Sequence, residues 1–161
     1  KKIPVYCDNL TAKYLYKNFS YCFTQKYDYP AFLLLKNLKK NFEIKDSKNK
    51  ISIKAVKVKH GLIDTIAYII DNKLAYVSDA NEFYKKNFNN FKGLQYLIID
   101  CLRYHKHPSH FNLEDVLKIV YILKPKKTIL TNLHSDLDYN KLLKILPKNI
   151  LPGYDGLTIN V

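Results

Sequence analysis

The chain has five histidines, and three of them, His105, His107 and His110, fall within the six residues HKHPSH. Imidazoles so placed could hold a cation, move a proton or sit in solvent, and residue type alone does not choose among these. The other two lie at informative points. His60 ends the alternating run KAVKVKHG, and His134 follows the apolar run KTILTNL. Asp79 closes LAYVSD, and Asp100 closes LQYLIID and leads straight into the histidine cluster. Layered α/β folds build their sites at strand ends. Histidines with a carboxylate and no neighbouring cysteine suit Zn²⁺, Mn²⁺ or Fe better than a structural thiolate centre. Taken singly, Asp79 reads as a turn residue, His60 before Gly61 as a surface histidine and His134 as part of a helix start. Only the set of strand-end positions points to a site.

These groups require elements to position them. IPVYCDN reads as a short strand, LTAKYLYKNFSYCF as a helix, and AFLLLKNL, FEI and ISIKAVKVKHG as strands, with the charged turn KDSKNK between the last two. TIAYII and KLAYVSD flank Asp71-Asn72 as a hairpin. LQYLIIDC is a buried strand. Asn112 is suited to cap a helix, Asp115 follows three residues later as in a capping box, and Leu113, Val116, Leu117 and Val120 share one face. Pro125 ends that helix, KTILTNL is another strand, DYNKLLKIL a short helix, and GYDGLTINV a turn with a terminal strand. An early hairpin-rich part and a later strand–helix alternation predict an α/β layered sandwich with a mixed sheet and flanking helices.

Composition sets the frame. The 161 residues suit a single domain, and 47% hydrophobic with 25% charged residues is the balance of a globular chain. The formal net charge is +13, yet of 27 basic residues only Arg103 is an arginine. Arginine is the residue suited to bidentate phosphate recognition, so the lysines read as a solvated surface that attracts anionic substrates to any cleft. Three cysteines without metal-site spacing point to a reducing, cytoplasmic compartment, and no run reaches the ~18 apolar residues of a membrane helix. There is no methionine, and the first residue is lysine.

VKHG, AYIIDNKLAYVSDA, YLIIDCLRYHKHPSHFNLEDVL, TILTNLHSDLDY and LPGYDGLTINV together resemble the metallo-β-lactamase-fold hydrolases. The likeness is nearest to the branch of cyclic phosphodiesterases of phosphonate metabolism and, further off, transfer-RNA 3′-processing ribonucleases. It implies part of an αββα sandwich with two divalent metal ions, Zn or Mn, at one edge. By position it makes His60 a metal ligand, Asp79 the carboxylate bridging both metals, and His134 a ligand of the second. The family pattern has a histidine where this chain has Asn132, and His134 falls two residues later. His110 matches the catalytic histidine, as general acid or donor to a phosphoryl oxygen, with metal-activated hydroxide as the nucleophile. Asp100 and His107 are expected to support these groups from behind, and His105 to be solvated.

The resemblance also marks a gap. The family's His-x-His-x-Asp-His motif does not occur. The expectation is therefore the C-terminal half of a longer hydrolase, inactive alone, with an apolar sheet face covered by an N-terminal half or by self-association. The substrate expected is a phosphodiester: a cyclic phosphate, a nucleotide or an RNA end. Two alternatives stay open, a catalytically incompetent remnant and a basic nucleic-acid-binding module.

Overall fold

The structure, a computed structural model, describes residues 2–45 and 47–161, and the chain forms two compact units, residues 1–40 and 41–161. In the first unit, β1 (Ile3–Cys7) pairs in parallel with β2 (Leu33–Asn37). Between them run α1 (Asn9–Asn18) and α2 (Ser20–Phe23). Asp8 caps α1 by accepting from Thr11 N at 2.7 Å, which satisfies one of the helix's free amides. Cys7, Cys22 and Ala31 are buried in this unit.

The second unit is built on an eight-stranded mixed sheet. Its strands are β3 (Asn41–Lys45), β4 (Lys50–His60), β5 (Ile63–Ile70), β6 (Leu74–Val77), β7 (Glu82–Phe83), β8 (Tyr96–Asp100), β9 (Lys127–Thr131) and β10 (Ile150–Pro152). The order is β10-β9-β8-β6-β5-β4-β3, with β7 on β4. From β3 to β6 neighbours are antiparallel, and from β6 to β10 parallel. This division follows the connections, since a tight turn reverses the chain whereas a helical crossover returns it in the same direction. The turn expected over KDSKNK contains Asp46, which lies outside the described residues. Asp71 and Asn72 do form the β5–β6 turn, both with positive φ, closed by Lys73 N donating to Ile70 O at 2.9 Å.

The helices of this unit are α3 (Lys85–Phe88), α4 (Leu113–Leu123) and α5 (Tyr139–Ile145). Asn112 caps α4 through Asp115 N at 2.8 Å, as its sequence position predicts. Leu113, Val116, Val120 and Leu123 of α4 join Val56, Val58, Ala67, Ile69, Ala75, Val77, Leu97, Ile99 and Leu130 in one buried core. On the other side of the sheet, cross-strand pairing aligns Ala55, Tyr68, Tyr76, Ile98, Ile129 and Leu151 in a single apolar row. Tyr76 and Leu151 in that row are 40% and 39% exposed.

The C-terminus departs from expectation. The last strand is Ile150–Pro152, and GYDGLTINV continues without strand structure. Gly156 turns the chain with φ +89°, and Leu157 N folds back to Tyr154 O, which takes this segment out of the extended path a ladder requires.

Candidate metal and proton-transfer site

The second unit brings the ends of β4, β6 and β8 together at one edge. His60 is the last residue of β4, Asp79 follows β6 by two residues, and His110 lies in the loop between β8 and α4. One ligand atom from each of these three lies within 4.8 Å of the others. His60 and Ser109, 49 positions apart in sequence, meet here because β4, β5, β6 and β8 are neighbours in the sheet.

Hydrogen bonds at Nδ1 orient both imidazoles. His60 Nδ1 lies 2.7 Å from the Ser109 carbonyl, which can only accept, so Nδ1 carries the proton and Nε2 keeps its lone pair. His110 Nδ1 lies 2.6 Å from Asp100 Oδ2, which again leaves Nε2 available. A ring nitrogen bonded to a carbonyl or carboxylate, with the other nitrogen free, is the arrangement seen behind metal-ligating and proton-transferring histidines. The two rings meet edge to face at 4.6 Å between centroids.

Asp100 is fully buried, and burial raises its pKa to about 6, against the opposing effect of its hydrogen bonds from Ala80 N and His110. Ala80 N donates to Oδ2 at 3.1 Å, while Oδ1 has no hydrogen-bond partner. His107 is set differently. Its Nδ1 accepts from Ser109 N at 3.3 Å, and its ring centroid is 5.1 Å from that of His110. Its pKa is lowered by desolvation first, then by Arg103, His110 and His60. His105 is exposed, and its carbonyl accepts from Arg103 Nε.

His134 stands apart from the three-residue group. Its side chain is 60% exposed and its Nδ1 is 3.0 Å from Asp136 Oδ1. Its backbone N donates to Leu102 O, which holds the segment after β9 beside the segment after β8. Asn132, in the position where the resemblance expects histidine, has φ +60° and donates from Nδ2 to Ser78 O at 3.4 Å.

Two residues that sequence reasoning passed over are part of the construction. Asn81 accepts from Gly61 N at 2.8 Å and donates to Pro108 O at 3.1 Å. Gly61 has φ +65° and faces Ser109. The signal available was local only: an Asn two residues after Asp79, and a Gly directly after His60.

The donor set fits a divalent cation. Two imidazole Nε2 lone pairs and one carboxylate are borderline-to-hard ligands, and bonds of ~2.0–2.2 Å would draw them together with small side-chain movements. Among the described residues this is the one group of three or more such side chains.

Comparison with known proteins bears on the fold and the family. A family model described as a beta-lactamase superfamily domain matches residues 1–132. A diphosphatase from the PhnP family shares 25% identity with a TM-score of 0.83, covering 98% of this chain but 57% of its own. Human tRNase Z, short form, gives a TM-score of 0.64 at 11% identity, over 99% of this chain and 67% of its own. Zn²⁺-bound PqqB from Methylobacterium extorquens gives 0.76 at 11%, over 100% of this chain and 66% of its own. A search of curated proteins found no match. The chain thus spans little more than half the length of the PhnP-family diphosphatase. With the family model covering most of its residues and a mixed sheet of matching architecture, the chain belongs to the beta-lactamase superfamily and has the metallo-β-lactamase fold.

Proposed function

We propose that this chain carries cation-binding and proton-transferring residues of a metal-dependent phosphodiester hydrolase. The observation that carries the reading is the convergence of His60, Asp79 and His110 within 4.8 Å, with His110 held by the buried Asp100. His60 Nε2 and the Asp79 carboxylate would hold a divalent cation, Zn or Mn. Such a cation supplies Lewis acidity and lowers the pKa of water toward neutrality. His110, fixed at Nδ1 by Asp100, would in its doubly protonated form use the Nε2 proton for the leaving oxygen, becoming neutral, or donate it as a hydrogen bond to a phosphoryl oxygen. The net charge of +13 favours approach of an anionic ester. Phosphate chemistry is supported by the similarity to a PhnP-family diphosphatase.

The test begins with metal content. The full chain is incubated with Zn²⁺ or Mn²⁺, desalted and analysed for metal, then assayed on bis(p-nitrophenyl) phosphate, a 2′,3′-cyclic nucleotide and RNA. Bound metal that His60→Ala abolishes upholds the reading, and any turnover should disappear in His110→Ala. No bound metal favours the incompetent remnant. RNA binding that is independent of metal and falls steeply with salt favours the basic binding module.

A second reading has its own observation: His110 lies close enough to His60 and Asp79 to be a ligand itself. His110→Ala separates the two, since loss of metal marks a ligand and loss of turnover with metal retained marks a proton donor. His134 as ligand of a second cation rests on the family resemblance. A fall from two metals per chain to one in His134→Ala would support it. With this reading goes a cover for the apolar row of the sheet, supplied by a further segment of polypeptide. A dimer in sedimentation equilibrium would assign that cover to a second copy instead.

A further inference from the structure

Three chain segments converge at the site, and each carries one member of the His60–Asp79–His110 group. They are joined by hydrogen bonds that no regular element supplies, among them the backbone bond in which Asn81 N donates to Lys59 O at 2.9 Å. His60 Nδ1 donates to Ser109 O at 2.7 Å, Gly61 N to Asn81 Oδ1 at 2.8 Å, Asn81 Nδ2 to Pro108 O at 3.1 Å, and Phe111 N to Ala80 O at 2.8 Å. The Asn81 side chain hydrogen-bonds both other segments. Its carbonyl oxygen can accept and its NH₂ can donate, so one planar amide fixes the turn after β4 against the loop before α4. The approach is close: a Cβ at Gly61 would lie 3.1 Å from Ser109 Cβ and 3.5 Å from Pro108 O.

We infer that Asn81 is a positioning residue for the site, acting as a clamp that sets the separation of His60 and His110. This rests on the functional reading above, in that the clamped side chains are the ones assigned to cation and proton. The physical argument is preorganisation. Imidazoles on two loops lose alignment when the loops move independently, and supports behind metal ligands typically contribute ~10- to 100-fold to metal affinity. Asn81 does this without touching the cation. Neither aspartate nor leucine could replace it, because the role needs a donor and an acceptor on one short side chain.

The test uses Asn81→Ala in the full chain, titrated with Zn²⁺ against a competing chelator, with Tm of the metal-free protein in parallel. The expected result is metal affinity lowered ~10-fold or more while Tm stays within ~4 °C of the parent. Unchanged affinity overturns the inference. Should Asn81→Ala not fold, Asn81→Ser, which keeps a hydroxyl but cannot span both partners, is judged by the same two measurements. A metal-independent readout separates this inference from the functional reading. Long-range ¹H–¹⁵N spectra of the metal-free parent should show His60 protonated at Nδ1, and Asn81→Ala should show exchange between tautomers. If the parent binds no metal, the functional reading fails. The clamp then stands on a changed His60 pattern and falls on an identical one.

Discussion

His110 Nδ1 lies 2.6 Å from Oδ2 of Asp100, the only fully buried carboxylate among the described residues. The pair joins the end of β8 to the loop ten residues later, so the strand that forms the core also aims the imidazole. Asp100 holds this position at a cost, since burial raises its pKa to about 6 and Oδ1 is left without a partner.

That cost has a sign. An aspartate has a pKa of about 3.9 when unfolded, and here the folded value is higher, so the folded chain binds the proton more tightly. The contribution is fully present below the unfolded value and is lost as pH rises through about 6. Asp100→Asn removes the ionisation. The expected outcome is a Tm difference, variant minus parent, that grows between pH 4.5 and 7 in metal-free protein. A difference that does not vary with pH would contradict the assignment. On the second reading, in which His110 is itself a ligand, the same variant should also bind Zn²⁺ ~10- to 100-fold more weakly, because it loses the carboxylate behind that histidine.

Gly61→Ala should be harmful for two reasons that act together. The residue has φ +65°, and the added Cβ would sit 3.1 Å from Ser109 Cβ. We expect a loss of about 1–3 kcal/mol in chemical denaturation. Metal affinity should fall as well, since the displaced turn carries His60.

Lys124 closes α4 with φ 51° and ψ 50°, and its N–H donates to Val120 O. This is the left-handed cap that glycine occupies without strain. Lys124→Gly is expected to raise stability by about 0.5–1 kcal/mol, read as a higher urea midpoint with an unchanged slope. Metal binding should not move.

Cys101 follows Asp100 directly and is wholly buried, with burial pushing its pKa up to about 12. The thiolate is the reactive form. Iodoacetamide at pH 8 should therefore leave Cys101 unlabelled in the native chain and label it after denaturation. Mass spectrometry of the digests reads this directly.

Much of the fold was legible because its signals are local. Near-alternation of apolar residues marked β4, the Asp71-Asn72 pair between two β-rich runs marked the reversal of β5 into β6, and Asn112 marked the start of α4. Strand-end placement likewise marked His60, Asp79 and Asp100, since the period of a strand and the position where it stops can both be read in a short window. The segment after Pro152 misled because its apolar residues suit a strand, whereas Gly156 and the Leu157–Tyr154 bond take the backbone out of line.

The sequence by itself determined the inventory: five histidines, the strand-end carboxylates and a mixed α/β order of elements. Tertiary structure alone decided which of them meet. It gathered His60, Asp79 and His110, left His134 exposed beside Asp136, and gave the Asn81 side chain two partners, one 20 and the other 27 residues away. The reason is that a side chain's polar partners are set by strand order and loop approach, and these arise from packing across the whole sheet rather than from any stretch of neighbouring residues.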